Sequence, residues 1–369
     1  MNSRERFVNC FSFKPVDRIP DWEFGAWDEN FTVWQEQGMP EWVTSNNEFD
    51  EYFSLETYEK PIPMWIGLFP GFEYKVIKED ERTQIVRDES GATAQISKVG
   101  STIPHFIDFP VKTEEDWEQI KDERYNLDTP GRWDTTEDEW KEIGRQTENS
   151  DKPVAVSCGG FYGFVRSLMG VENTSIAFAL QPGMIDDIIE TRCCMIEKAL
   201  DQALPHCTVD AGTWWEDMCY NHGPLISPAM FREFMVPRYK RITDKLKTYG
   251  ITVNILDSDG NIHELVEPWL EAGINCMFPL EIRGGTDPYF LREKYGKELL
   301  LKGGVDKTML ETQDKIEEEL DRITPLVEQG GYIPHVDHRV PPNITLENYR
   351  YYLKRKRERF GIPIPEKQS

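Results

Sequence analysis

Hydrophobic and polar residues alternate in two patterns over the second half of the chain. From about residue 150 onward there are short apolar, β-branched runs: KPVAVSCGG, HCTVDAGTWW, ITVNILDSDGN, INCMFPLEIRGG, ELLLKGGVD and GGYIPHVDH. Between them lie longer segments with helical spacing and charged faces, which often end on glycine, as at Gly250, Gly273 and Gly330. This alternation predicts βα units around a parallel sheet.

Two further strands are expected nearer the N-terminus, in RIPDWEFG and PMWIGLF, which brings the number of strands to eight. Eight βα units favour a closed (β/α)8 TIM barrel over an open, doubly wound sheet. A dinucleotide-binding fold is further disfavoured because no GxGxxG motif follows the first strand.

The stretch of about 72–100 departs from this pattern, because its polar and apolar residues alternate with a period of two and it contains the turn sequence DESG. It is expected to form two or three antiparallel strands inserted near the barrel mouth. A helix capped by Thr113 follows, and the polar segment 129–153 is expected to be a connector. The simplest organisation is one elaborated domain over residues 1–369.

Composition narrows the class of protein. The 369 residues include 66 acidic and 42 basic side chains, and a formal net charge of -24 disfavours nucleic acid as a partner. Apolar runs are too short for a membrane span, and the charged N-terminus lacks a signal-peptide core. The 7 cysteines form no CxxC pair. A reducing, cytoplasmic location is therefore expected.

Acidic and imidazole side chains follow the predicted strands at the end where barrel enzymes carry their chemistry. They are Glu216, Asp217, Asp257, Asp259, Glu281, Asp306, His335, Asp337 and His338. Asp257 and Asp259 with one of the two histidines would supply two oxygens and one nitrogen to a divalent metal. The same aspartates could instead cap the next helix, and the histidines could hydrogen-bond them without metal.

Other residues are candidates for substrate contact. His222 lies in the loop of Glu216 and Asp217, and one of these two acids is a candidate catalytic acid. His105 follows the insertion, although an exposed loop position is the simpler interpretation. The glycine-rich CGGFYG, which contains Tyr162, lacks the lysine of a phosphate loop, so its glycines are expected to let a bulky ligand approach the backbone. Aromatic pocket walls are a further possibility for Trp22, Trp27, Trp65, Trp214 and Trp215, although most of these are expected in the core.

Several motifs together resemble the uroporphyrinogen decarboxylase superfamily, whose members adopt the (β/α)8 barrel. They are FKPVDRIP, SCGGFYGFVRSLMGVEN, WEDMCYNHGPLISPAMFREFMVPRYKRI, DSDGNIHELV, LLLKGGVDK and GGYIPHVDHRVPPN. True decarboxylases of the family carry arginines that clamp substrate carboxylates in the segment after the RxP motif. Here that segment, RIPDWEFGAWDEN, has no arginine after Arg18 and adds four acids, so the resemblance to that branch is weaker.

The other class comprises cobalamin-dependent methyltransferases, and in its coenzyme-thiol branch the zinc ligands follow a His-x-Cys-Gly-Asn motif and a later cysteine. This resemblance places Asp257 at the histidine, Asp259 at the first cysteine and His338 at the last cysteine. Glu281 and Asp337 are expected to be outer partners of these ligands. Oxygen and nitrogen donors in place of thiolates suit activation of an oxygen leaving group.

The resemblance therefore implies a methyltransferase that moves a methyl group from a methoxylated, aromatic compound to Co(I) on a corrinoid partner protein. Zinc or His338 would stabilise the departing oxygen, and His335 and Trp215 would contact the substrate. The alternatives are decarboxylation of a porphyrinogen or another acid, and a non-catalytic corrinoid-binding role.

Overall fold

The computed structural model describes residues 1–98 and 104–365. Within these residues there are twelve strands, listed here in chain order. They are β1 (Lys75–Glu79), β2 (Thr83–Arg87), β3 (Thr93–Ser97), β4 (His105–Asp108), β5 (Ala155–Gly159), β6 (Ala211–Trp215), β7 (Cys219–Tyr220), β8 (Gly223–Pro224), β9 (Val253–Asp257), β10 (Cys276–Phe278), β11 (Leu300–Val305) and β12 (Tyr332–Val336).

The same described residues form fourteen α-helices. They are α1 (Ser3–Phe11), α2 (Asp28–Glu36), α3 (Asn46–Phe53), α4 (Glu114–Arg124), α5 (Glu137–Asn149), α6 (Tyr162–Met169), α7 (Val171–Leu180), α8 (Pro182–Ala203), α9 (Pro228–Phe234), α10 (Val236–Thr248), α11 (Val266–Glu271), α12 (Pro288–Tyr295), α13 (Gln313–Gln329) and α14 (Leu346–Arg359).

Six strands form a parallel sheet in the order β12-β11-β10-β9-β6-β5, so strands that follow one another along the chain are also neighbours in the sheet. Helices lie between successive strands, as a right-handed parallel crossover requires. The six late strands that the sequence pattern predicts are therefore confirmed.

Two N-terminal segments extend this sheet at its edges. Ala26 pairs in parallel with Val340 beyond β12, and Glu59 pairs in parallel with Val154 beside β5. The segments also contact each other, because Glu56 N donates to Asp21 O at 2.9 Å. Six strands and two extended segments thus give the eight positions of a (β/α)8 barrel, as the alternating pattern predicts.

The sequence located one of these two segments correctly. RIPDWEFG runs directly into the contact at Ala26, whereas PMWIGLF forms no strand, and the second edge contact falls earlier, at Glu59. The carbonyl oxygens of PMWIGLF bind side chains instead: Arg132 donates to those of Trp65 and Gly67 at 2.8 Å each. Hydrogen bonds from a distant side chain to backbone carbonyls cannot be seen in hydrophobic periodicity, and this explains why the predicted strand is wrong.

The predicted insertion is present as a four-stranded antiparallel sheet in the order β1-β2-β3-β4. It has one strand more than expected and continues to Asp108, while positions 99 and 100 of the predicted range lie outside the described residues. The DESG turn forms as expected, since Asp88 Oδ1 accepts hydrogen bonds from Ser90 N at 2.9 Å and from Ala92 N at 3.2 Å.

Helix α4 begins at Thr113 with the expected cap, which here is a full capping box with Asp116. The expected connector over 129–153 is wrong in part, because it contains the 13-residue helix α5. Thr136 and Glu139 form a second capping box there, and Trp140 is buried, so one apolar anchor and one cap suffice to order a polar segment.

Helix α1 covers the end of the barrel where the strands begin. Phe7, Cys10 and Phe11 pack with Trp22 and Ile333 in a buried cluster inside the barrel, and Gly331 N donates to Cys10 O at 3.2 Å. The opposite end, where the strands terminate, is the mouth of the barrel. Within the described ranges, no helix has both the length and the apolar content needed to cross a bilayer.

Candidate functional site

Three aspartates meet at the mouth of the barrel. Asp257 is the last residue of β9 and pairs in register with Trp215 of β6, so Asp217 leaves β6 beside it. One carboxylate oxygen from each of Asp217, Asp257 and Asp259 lies within 4.8 Å of the other two. The barrel register, which aligns the ends of neighbouring strands, therefore builds an acidic cluster from two loops.

The loop after β12 reaches the same place. His338 Nε2 lies 3.4 Å from Asp259 Oδ2. The loops DSDGN and HVDHR, about eighty residues apart in the printed sequence, are thus in contact, as the sequence hypothesis requires. Asp217, however, takes the third position of the carboxylate cluster that the sequence analysis assigned to His338.

The orientation of the His338 ring separates two possible roles. Its Nδ1 accepts a hydrogen bond from Arg339 N at 2.8 Å, and neutral imidazole with an accepting Nδ1 carries its proton on Nε2. That proton points towards Asp259. This arrangement suits a hydrogen-bond donor better than a metal ligand, because ligation at Nε2 requires the other tautomer.

Crowding of negative charge marks the cluster electrostatically. Burial raises the pKa of Asp257 well above its usual range, and the neighbouring charges of Asp217 and Asp259 raise it further. The pKa of Asp217 is also raised, first by burial and then by Asp259. Three oxygen donors that repel one another are a fit for a bound cation, which would remove the repulsion.

Asp217 is held in a strained conformation. Its φ of 46° lies in the left-handed region, which costs a residue with a Cβ about 1 to 2 kcal/mol. Arg166 of α6 compensates by binding the Asp217 carbonyl oxygen at 2.9 Å and its carboxylate at 3.0 Å. Arg166 also stacks over the Trp215 ring at 4.8 Å. The role of Arg166 could not be predicted from the sequence, because nothing in the residues of α6 indicates its distant partner Asp217.

A cavity of about 890 Å³ opens beside the cluster, a volume within the usual range for small-molecule sites. Its walls include Asp257 and several barrel-interior side chains, among them Trp22, Phe24, Tyr58, Trp214, Trp215, Phe278 and Lys302. Of the other tryptophans considered, Trp27 stacks on His338 with ring centroids 5.3 Å apart, and Trp65 is not among the residues that line the cavity.

Glu216 is joined to the glycine-rich segment by buried hydrogen bonds. The Glu216 carboxylate accepts hydrogen bonds from Phe161 N at 2.8 Å, Gly163 N at 2.7 Å and the Tyr239 hydroxyl. A Cβ at Gly160 would lie 2.0 Å from the Trp215 carbonyl oxygen. These glycines therefore admit the β6 backbone rather than a bulky ligand, which corrects the expectation for this segment.

Glu281 and Asp337 stabilise the loops that carry the cluster. Glu281 accepts from Gly260 N and from Lys307 Nζ, both at 3.1 Å. Asp337 is fully buried and accepts from Ile282 N at 2.8 Å and Lys307 N at 3.0 Å. Both acids thus contact Lys307, and Glu281 also fixes Gly260 next to Asp259.

The remaining candidates are dispersed. His222 and His105 are exposed and do not line the cavity, and Tyr162 is buried against Phe178 with ring centroids 6.1 Å apart. His335 is fully buried on β12 beside Phe278, and within the described residues its Nε2 has no hydrogen-bond partner. Burial lowers the pKa of His335 well below its usual value, so this ring is neutral.

Lys302 is the other residue that the sequence analysis missed. It is the third residue of β11, lines the cavity, and is only 8% exposed. A charged side chain inside the apolar run ELLLKGGVD was the available signal, because lysine is almost never fully buried without a reason.

Comparisons with known proteins agree with this architecture. The family model described as uroporphyrinogen decarboxylase (URO-D) matches residues 85–359, which is more than half of the chain. A solved methyltransferase from Methanosarcina mazei is similar in structure, with a TM-score of 0.59 and 16% sequence identity over 97% of this chain and 98% of that chain. No curated protein sequence matches. The chain therefore belongs to the uroporphyrinogen decarboxylase family.

Proposed function

We propose that this protein is a corrinoid-dependent methyltransferase that takes a methyl group from a methoxylated aromatic compound and transfers it to Co(I) of a corrinoid protein. The observation that carries the proposal is the contact between His338 and the Asp217–Asp257–Asp259 cluster at the cavity mouth. Two further observations support methyl transfer over decarboxylation. The fold is shared with a methyltransferase, and the segment RIPDWEFGAWDEN has no arginine after Arg18 that could clamp a substrate carboxylate.

The aspartate cluster fits a divalent cation, zinc being the ion that the family resemblance implies. Asp217, Asp257 and Asp259 would hold it through carboxylate oxygens, and Glu281 would support the loop between them through Gly260. When bound, such an ion would supply a Lewis acid beside the leaving oxygen. Arg166 would keep Asp217 in place, since it binds both the carbonyl oxygen and the carboxylate of that residue.

His338 would stabilise the departing oxygen by donating a hydrogen bond to it. Its Nε2–H faces Asp259, and its ring contacts Trp27 and the cavity wall residue Phe24, with centroids 5.3 and 5.5 Å away. The aromatic neighbours fix the plane of the imidazole, and the hydrogen bond from Arg339 N fixes its tautomer. Positioning of the donor is the main contribution required, because Co(I) is already a strong nucleophile.

Aromatic walls suit an aromatic methyl donor. Phe24, Phe278 and Trp215 line the cavity between the acidic mouth and the barrel floor. Because α1 closes the other end of the barrel, the corrinoid partner would have to present its cobalt at the mouth, where the aspartates lie.

The test uses the purified protein with free cob(I)alamin as acceptor and 1,2-dimethoxybenzene as donor, and it follows the absorbance of methylcobalamin. Asp259→Ala should lower the rate by roughly 100-fold, the scale of losing one electrostatic contact to the leaving group. It should also lower the metal content measured by elemental analysis. Asp244→Ala, at an exposed acid of α10, should change neither quantity.

The alternative gives the opposite result. Release of carbon dioxide from uroporphyrinogen without cobalt, together with no methylcobalamin from the dimethoxybenzene, would establish a decarboxylase and overturn the proposal.

A further inference from the structure

The floor of the cavity carries a cation that forms no direct ion pair within the described residues. Lys302 Nζ lies over three aromatic rings, 4.4 Å from the centroid of Phe278, 4.6 Å from that of Trp22 and 5.3 Å from that of Tyr58. Among residues 1–98 and 104–365, no carboxylate oxygen lies within the 4.0 Å ion-pair distance of this nitrogen, and it has no hydrogen-bond partner.

Two further donors around Lys302 are also unpartnered. The indole Nε1 of Trp22 and the hydroxyl of Tyr58 are buried and have no hydrogen-bond partner within the described chain. Their rings contact each other, with centroids 4.0 Å apart, and both line the same cavity as Lys302. Lys302 therefore lines the cavity beside two aromatic rings whose own donors are buried and have no acceptor among the described residues.

Packing alone does not account for this arrangement. A buried ammonium costs several kcal/mol unless it is paired, and cation–π contacts offset only part of that cost. A leucine or methionine would fill the same position on β11, which is otherwise completely buried, without this cost. A buried cation with a high desolvation cost, placed at the edge of a cavity, is typical of a binding site.

We propose that Lys302, which lies over the Trp22 and Tyr58 rings, binds a carboxylate of the substrate at the barrel floor. The proposal rests on the proposed function in one respect: the same molecule would present its methoxy group to His338 and the aspartates at the mouth. A single carboxylate would give the ammonium a charged hydrogen-bond partner.

Charges of both signs line the rest of the cavity. Glu56 is neutralised by Arg6 and Arg18, with nitrogen–oxygen distances of 2.5 and 2.8 Å, and Glu23 by Lys356 at 2.7 Å. Asp50 and Asp257 line the cavity without an ion pair in the described residues. The cavity is also lined by Lys60 and Lys152, but both are exposed, whereas Lys302 is buried, so the carboxylate is expected at Lys302.

The experiment compares the binding of 4-methoxybenzoate with that of its neutral isostere 4-methoxybenzamide at pH 7, by calorimetry and without any corrinoid. The wild-type protein should bind the benzoate about tenfold or more tightly than the amide, the scale of one charge-assisted contact in a partly desolvated site. Lys302→Met should abolish this preference by weakening the benzoate alone, and Lys302→Gln should do the same if the methionine variant does not fold.

The matched control is Lys315→Met, which removes one positive charge from an exposed pair with Glu311 and should keep the full preference. Equal affinity of the wild type for both probes, failure to bind the benzoate, or a preference that survives in both Lys302 variants would overturn the carboxylate site.

The outcome is separable from that of the methyl-transfer test. Lys302-dependent benzoate binding without methyl transfer to cobalamin would remove the proposed function and leave the carboxylate site standing. Methyl transfer from dimethoxybenzene with equal binding of benzoate and benzamide would do the reverse.

Discussion

Lys302 shows how a single residue can reduce the stability of the fold while serving its site. Burial lowers the pKa of this lysine from 10.5 to about 8, so the folded protein binds its proton less tightly than the unfolded chain does. Below pH 8 the folded state carries the full cost of the buried charge, and the cost disappears as the pH rises towards 10.5. Proteins commonly keep such destabilising groups where binding requires them.

Lys302→Met should therefore stabilise the protein at pH 7. A pKa shift of this size corresponds to roughly 3 kcal/mol in the free energy of unfolding, measured by urea denaturation. The gain should shrink between pH 8 and pH 10.5, because the wild-type lysine loses its charge there in the folded state. Lys315→Met should show no such gain, and a destabilised Lys302→Met would mean that the aromatic contacts outweigh the burial of the charge.

Element geometry decides where Lys302 and the mouth lie relative to each other. Gly303, the next residue of β11, has a φ of +104°, and a Cβ there would lie 1.9 Å from the Pro279 carbonyl oxygen. That same oxygen accepts a hydrogen bond from Gly304 N at 2.9 Å. The residue after β10 thus lies directly against the neighbouring strand β11, and this close approach brings the Phe278 wall next to Lys302.

Gly303→Ala should abolish folding or reduce the free energy of unfolding by more than about 4 kcal/mol, because the Cβ would collide with backbone. Gly250→Ala is the matched control, since its φ of +78° is similarly left-handed but nothing lies within 4 Å of its Cβ position. Its cost should be about 1 kcal/mol, from backbone strain alone. Equal losses in the two variants, measured by urea denaturation, would show that conformation and not contact dominates.

At the scale of the whole molecule, the last helix fastens the first barrel segment. Lys356 of α14 donates to Glu23 at 2.7 Å and to the Trp22 carbonyl oxygen at 2.8 Å, and both charged side chains of the Glu23–Lys356 pair are fully buried. Tyr352 adds a hydrogen bond to Glu23 at 2.9 Å. The C-terminal helix therefore orders the N-terminal segment that carries two walls of the cavity, Trp22 and Phe24.

Lys356→Met should cost about 3 to 5 kcal/mol of unfolding free energy, because it leaves Glu23 buried and unpaired. The double variant Glu23→Gln with Lys356→Met should recover part of that loss, since no uncompensated charge remains. Lys354→Met, at an exposed lysine two residues earlier in α14, should be near neutral. Additive effects of the two substitutions would show that the pair does not act as a unit.

Much of the architecture could be predicted from local pattern. Six parallel strands, the antiparallel insertion, the Thr113 cap and the acidic positions at strand ends all follow from spacing and turn chemistry. The errors have physical causes that are not local. PMWIGLF has the composition of a strand, but Arg132 binds its carbonyl oxygens, and α5 forms in a polar segment because Trp140 finds a buried place.

The amino-acid sequence by itself determined the elements and the kinds of side chain that stand at the strand ends, because periodicity and capping act over a few residues. Only the tertiary structure decided which of those side chains meet. Register and barrel closure place Asp217 beside Asp257, turn the Nε2 of His338 towards Asp259, and leave Lys302 among aromatic rings without a direct ion pair in the described part of the chain. Distances through space between remote segments set these contacts, and no local pattern encodes such distances.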